Sequence, residues 1–189
     1  LLKATEDITW LGVFFQSVSA RTAGFSTYAI GDFTNAGLFV LCVLMFIGAS
    51  PGSTGGGIKT STFFVLFQAA RSACVKKNVC AFRRSISRQN ISKASMITVL
   101  SMMVVCVATF LLCVLEPDRT FIQVFFEVVS AFGTVGLSTG ITPGLSVAAK
   151  IVIIFVMFIG RLGAFTLLTI WISHPEPKIR YSEENIAIG

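Results

Sequence analysis

The sequence predicts an all-α integral membrane protein built from a duplicated unit. Three observations carry that prediction. Charged residues make up only 13% of the chain, against 54% hydrophobic residues and 18 Phe. A soluble domain carries about a quarter charged residues. The stretch from Ala94 to Leu115 runs 22 residues without Gly, Pro or charge, enough for an apolar core about 30 Å thick. Finally, a short polar motif occurs twice inside apolar sequence. The copies are Thr22-Ala23-Gly24-Phe25-Ser26-Thr27 and Thr134-Val135-Gly136-Leu137-Ser138-Thr139. Each follows a related run, Phe14-Phe15-Gln16-Ser17-Val18-Ser19-Ala20 and Phe125-Phe126-Glu127-Val128-Val129-Ser130-Ala131.

The elements follow in chain order. Residues 9–20 read as a helix of about 18 Å, too short to cross and therefore re-entrant. Residues 35–72 form a long apolar segment, interrupted at 48–57 by Pro51 and by four Gly within 52–57. Proline removes a donor and glycine disfavours helix, so residues 49–57 cannot be ordinary helix. A basic loop follows. Seven of the fifteen basic residues lie in it: Arg71, Lys76, Lys77, Arg83, Arg84, Arg88 and Lys93. No Asp or Glu occurs from Phe33 to Leu115. Basic residues between two spans mark the cytosolic side. The net charge of +6 therefore does not point to nucleic acid, and no such partner is expected.

The span 94–115 ends at Glu116-Pro117-Asp118-Arg119. Thr120 and Gln123 have capping-box spacing and open a second short helix, to about Phe132. Ser146 to Ile172 makes the last span, and a charged tail follows from 173. With the basic loop inside, both motifs enter from outside and the tail is cytosolic. Met45-Phe46-Ile47-Gly48 matches Met157-Phe158-Ile159-Gly160 at the motif's own offset of 112 positions. The short helices match at 111, which places one inserted residue near Phe132-Gly133. Two units of common origin explain this pattern. The chain opens with Leu-Leu rather than Met, so a fragment or processed chain is expected.

The five Cys are scattered without Cys-x-x-Cys spacing, and His174 is the one His. Metal or thiol chemistry is not expected, and small packing residues is the preferred account. The duplicated motif carries the chemistry instead. Irregular backbone at membrane depth persists only inside protein or beside a wet cavity. Its carbonyls can replace the water shell of an alkali cation. Gly24 and Gly136 allow the required backbone angles, and each short helix aims its negative end at the same place. Arg161 is the lone charge between Lys150 and Ile172. At mid-span it costs at least a few kcal/mol, so it faces the interior, water or a partner. Glu127 takes the place of Gln16 and reads as a support for the motif rather than a coupling-ion site. Lys59 reads either as a polar anchor or as a snorkelling side chain.

These residues resemble the Ktr/Trk/HKT family of potassium-uptake membrane subunits, the Ktr branch above all. The resemblance spans the chain and rests on Arg21-Thr22-Ala23-Gly24-Phe25-Ser26, on Gly52-Ser53-Thr54-Gly55-Gly56-Gly57-Ile58-Lys59-Thr60 and on Arg161. It implies a pseudo-fourfold repeat of helix–pore loop–helix units, of which this chain holds about one and a half to two. Residues 1–72 would be the third unit without its first helix, 73–93 a cytosolic loop, 94–172 the fourth unit and 173–189 a cytosolic tail. The first two units would lie in the rest of the same polypeptide.

The resemblance also implies a potassium filter of Thr22, Ala23, Gly24 and Phe25 with Thr134, Val135, Gly136 and Leu137. It implies a gate of Ser50, Pro51, Gly52, Ser53, Thr54, Gly55, Gly56 and Gly57 with Arg161. Transport of K+ across the plasma membrane, sodium stimulation or coupling, a homodimer and a cytosolic nucleotide-binding ring are further implications. No organic cofactor and no enzymatic activity are expected, and the lipid bilayer is the surrounding partner. Two other classes stay open at this point: a passive cation channel subunit, and a non-conducting anchor or receptor subunit.

Overall fold

A computed structural model describes residues 9–75, 80–81 and 84–163. The tail from 173 and residues 164–172 of the last expected span lie outside the described residues. Among the described residues there are six α-helices: α1 (Trp10–Ser19), α2 (Asn35–Phe46), α3 (Thr60–Val75), α4 (Arg88–Leu115), α5 (Phe121–Gly133) and α6 (Val147–Leu162). A two-residue hairpin, Cys80–Ala81 against Arg84–Ser85, stands in the basic segment read from sequence as a loop. The described residues are otherwise all-α.

Capping chemistry sets the helix starts. Thr9 Oγ1 accepts from the Gly12 amide at 3.2 Å, and Thr34 Oγ1 from the Gly37 amide at 3.2 Å. Ser146 Oγ accepts from the Ala149 amide at 3.3 Å. The expected capping box is present: Gln123 Oε1 accepts from the Thr120 amide at 3.3 Å and from its hydroxyl at 2.9 Å. Each cap satisfies a donor that the first helical turn leaves unpaired. Ser87 caps α4, which therefore starts at Arg88 rather than at Ala94. Arg88 and Lys93 end an apolar pattern, but they do not end a helix.

Among the described residues α4 is the one helix long and apolar enough to cross a membrane. The short helices α1 and α5, at about 15 and 20 Å, cannot cross. The duplication extends to every element between the motif and the second apolar helix. Short 3-10 turns at Ile30–Asp32 and Thr142–Gly144 lie 112 positions apart, as do the first residues of α2 and α6.

Helix α5 forms the centre, packed by α2, α4 and α6. Val124, Phe126, Val128, Val129, Ala131 and Phe132 are all buried in it. The rings of Phe46 and Phe132 meet at 5.9 Å and join α2 to the end of α5. Small residues set the backbone spacing, as in other membrane helix bundles. A Cβ on Gly160 would run into the Phe132 carbonyl, and one on Gly133 would sit 2.7 Å from the Met45 carbonyl. Glu116 joins α4 to α6 by accepting from the Ser146 amide at 2.6 Å. That bond, helped by Arg119 and Lys150, holds its carboxyl below the usual range.

The duplication is not matched by equal burial. Phe126 is fully buried, whereas its counterpart Phe15 on α1 is 42% exposed. Met45 is fully buried, whereas its counterpart Met157 on α6 is 45% exposed. α5 is enclosed and α1 is not.

Candidate ion filter and gate loop

Both motif copies open on a threonine with positive φ. Thr22 and Thr134 have φ of 70° and 51°, and they are the two described non-glycine residues with positive φ. For a β-branched residue this is an outlier, worth about 1–2 kcal/mol of strain. In each copy the glycine two positions later also has positive φ, 79° at Gly24 and 92° at Gly136. At the end of α5, Thr134 stands where glycine commonly ends a helix. Its amide donates to the Ala131 carbonyl at 3.0 Å, and the Val135 amide donates to the Ser130 carbonyl at 2.9 Å.

Polar side chains repeat this pairing. Ser19 Oγ donates to the Phe25 carbonyl, and Ser130 Oγ donates to the Leu137 carbonyl at 2.6 Å. Gln16 Oε1 accepts from Ser26 Oγ at 3.2 Å, and Glu127 Oε1 accepts from Ser138 Oγ at 2.7 Å. Glu127 does more than Gln16. It also accepts from the Thr139 amide at 2.9 Å, the Thr139 hydroxyl at 3.1 Å and, through Oε2, the Thr142 hydroxyl at 2.9 Å. All these donors are neutral, and they fasten residues 138–142 to the short helix. Glu127 is a support. Glu127→Ala strands several half-buried donors and is expected to cost about 3 kcal/mol. Glu127→Gln keeps an acceptor, as Gln16 does, and should cost about 1 kcal/mol. Thermal unfolding in detergent checks the order: a Gln variant as weak as the Ala variant would refute the support role.

The copies meet. A Cβ on Gly24 would run into the Val135 carbonyl oxygen, with Gly136 Cα at 3.6 Å. Val135 and Leu137 are buried, while Ala23 and Phe25 are exposed. The glycine loop lies against the threonines of both copies. A Cβ on Gly55 would stand 3.0 Å from Thr22 Oγ1, and the Gly56 amide donates to Thr134 Oγ1 at 2.9 Å. Residues separated by 78 positions thus share a hydrogen bond. Ser50, Pro51, Gly52, Ser53 and Thr54 form the exposed outer part of the loop, and Gly57 is half-buried at its return.

Arg161 is exposed and makes no hydrogen bond or ion pair among the described residues. It lines a cavity of about 930 Å³ together with Thr134, Val135, Gly136 and Leu137. Neither Ser50–Gly57 nor the first motif copy lines that cavity. The structure therefore brings Arg161 to the second copy, and brings the loop to both copies.

The sequence leaves Lys59 open between two roles. Its Nζ donates to the Gly55 carbonyl at 2.7 Å and to the Ser53 carbonyl at 3.0 Å. It anchors the loop. Sequence spacing shows a lysine after a glycine run, but not a side chain that folds back onto it.

An apolar helical chain with a duplicated short helix, whose irregular continuations meet each other, defines an all-α integral membrane protein. Residues 4–182 match the TrkH family of cation transport proteins, and the chain belongs to that family. It is 44% identical over 182 residues to the Ktr system potassium uptake protein B of Vibrio alginolyticus, covering 95% of this chain and 40% of that one. It is 41% identical over 192 residues to the Ktr system potassium uptake protein D of Bacillus subtilis, covering 99% and 42%. It is 37% identical over 196 residues to the potassium/sodium uptake protein NtpJ of Enterococcus hirae, covering 100% and 44%. The chain thus spans about two-fifths of the length of these relatives. The crystal structure of the potassium transporter TrkH from Vibrio parahaemolyticus superposes with a TM-score of 0.68 at 27% identity, over 86% of this chain and 37% of that one. The relatives are named as ion-uptake proteins, not enzymes.

Proposed function

We propose that this chain is the third unit, in part, and the fourth unit of a potassium-uptake subunit of the plasma membrane. Thr22–Phe25 and Thr134–Leu137 supply two sides of a filter of backbone carbonyls. Residues 50–57 and Arg161 form the gate. The observation that carries this proposal is the meeting of both motif copies over the glycine loop, through Val135 against Gly24 and Thr134 against Gly56. Alternation of positive and ordinary φ along each copy supports it. A β-strand turns successive carbonyls to opposite sides, whereas such alternation turns them to the same side, where a dehydrated cation needs them.

Two sides do not enclose an ion. The remaining sides come from the first two units of the same polypeptide. The exposure of Phe15 and Met157, at positions buried in the other copy, supports that assignment. The motif copies lack the Tyr-Gly that closes the Thr-Val-Gly-Tyr-Gly filter of tetrameric potassium channels, so fewer well-formed ion sites follow. The basic segment within 71–93 and the tail from 173 face the cytosol by the positive-inside rule. There they meet a nucleotide-binding regulatory ring, and the subunit pairs as a homodimer. Sodium coupling is part of the proposal because a relative is named for both potassium and sodium.

The test is rescue of potassium-uptake-deficient bacteria by the full-length protein, with and without sodium. Growth at low potassium that rises with sodium is expected. Rescue independent of sodium would replace the coupled transporter by a passive channel. Failure of an expressed, membrane-inserted protein to conduct would leave the anchor or receptor role.

A further inference from the structure

We infer that Lys59 is the latch of the glycine loop, a positioning residue that holds the loop against the motif threonines until it is released. This rests on the gate reading of residues 50–57 and adds to it the group that sets the loop's resting position.

The loop is pinched at its neck by backbone alone. The Gly48 amide donates to the Ile58 carbonyl at 2.9 Å, the Ile58 amide to the Phe46 carbonyl at 3.0 Å and the Thr60 amide to the Ala49 carbonyl at 3.3 Å. These bonds fix where the loop leaves and returns. They do not fix its tip. Within the tip one turn bond, from the Ser53 amide to the Ser50 carbonyl, is present at 3.2 Å. A tip so rich in glycine has little conformational preference of its own. Its position is therefore set by the groups that grip it from outside.

Two such grips exist among the described residues. Thr134 Oγ1 takes the Gly56 amide, and the Lys59 ammonium takes the carbonyls of Ser53 and Gly55. The first is a neutral hydrogen bond and the second a pair of charge-assisted ones, which are about twice as strong. Lys59 is also well placed to act. It lies immediately before α3, on the fixed side of the neck, so its side chain can let go of the tip without moving the helix. Its two acceptors flank Thr54, so a single ammonium spans the turn of the tip. Freeing Lys59 releases Ser53 and Gly55 together and leaves Gly56 held by one neutral bond.

The test uses the full-length protein in proteoliposomes, with rubidium flux measured without a sodium gradient. Lys59→Met is expected to raise resting flux at least about tenfold, the shift one net charge-assisted hydrogen bond sustains. The potassium KM is expected to stay within about twofold, because the filter is untouched. Lys59→Arg keeps charge and donors and is expected to return most of the resting block. Lys59→Gln keeps donors without charge and should raise flux about threefold; it serves if the Met variant does not assemble. Hydrogen exchange should quicken at the Gly56 amide in Lys59→Met and not in α3.

Wild-type resting flux in both Lys59→Met and Lys59→Gln, with raised flux on deletion of Gly52–Gly56, would overturn the latch and leave the gate. A shifted KM with unchanged resting flux would also overturn it, making Lys59 a filter support. Unchanged flux in the deletion as well would remove the gate reading itself.

Discussion

Gly24→Ala is expected to leave no measurable potassium uptake by the full-length protein. Two effects combine at this position. Its φ of 79° lies where an L side chain is strained, by about 1–2 kcal/mol. The new Cβ also points at the Val135 carbonyl oxygen, backbone that cannot swing aside as a side chain would. Relief requires moving that carbonyl, one of the proposed ion ligands, away from its place. The second copy provides an internal control. Gly136 has φ of 92°, but the nearest atom to its added Cβ is Gly24 Cα at 4.0 Å. A Cβ at Gly136 therefore carries strain without collision, and Gly136→Ser should weaken potassium affinity roughly tenfold, the equivalent of about 1.4 kcal/mol. Rubidium and sodium uptake kinetics in the two variants check the ranking. Unchanged kinetics across alkali ions would remove the glycine from the filter.

Short-range chemistry made much of this legible in the sequence. The two short helices, their caps and the spacing of 112 positions depend on neighbours within a turn or two, so residues 9–20 and 120–132 fall within a residue or so of α1 and α5. Helix α4 starts six residues before the apolar span because charge bounds the membrane core without bounding the helix. The grip of Lys59 on Ser53 and Gly55 and the bond between Gly56 and Thr134 depend on tertiary placement, which no spacing reveals. The role of Glu127 lay between. Its alignment with Gln16 pointed to support, but the number of donors it gathers depends on the path of residues 138–142.

Deleting Gly52–Gly56 is expected to raise resting rubidium flux by more than any single substitution, while the protein still assembles. The neck explains the tolerance. The bonds joining Gly48 to Ile58, Ile58 to Phe46 and Thr60 to Ala49 all lie outside the deleted residues. Ser50, Pro51 and Gly57 remain to close the turn. What disappears is the tip: the Gly56 amide on Thr134, the backbone beside Thr22 and both parts holding Lys59. Arg161→Ala should act by another route and more weakly. A fixed charge about 8 Å from an ion repels it by about 2 kcal/mol at an effective dielectric near 20. Arg161 lines the cavity beside Thr134–Leu137 without touching the loop's grips, so its removal lowers a barrier without clearing an obstruction. Salt separates the two mechanisms. Raised ionic strength should diminish the difference between Arg161→Ala and wild type, because an exposed charge is screened. It should leave the effect of the deletion intact, because missing backbone is not. Wild-type resting flux in both variants would mean that neither the loop nor the arginine gates the path.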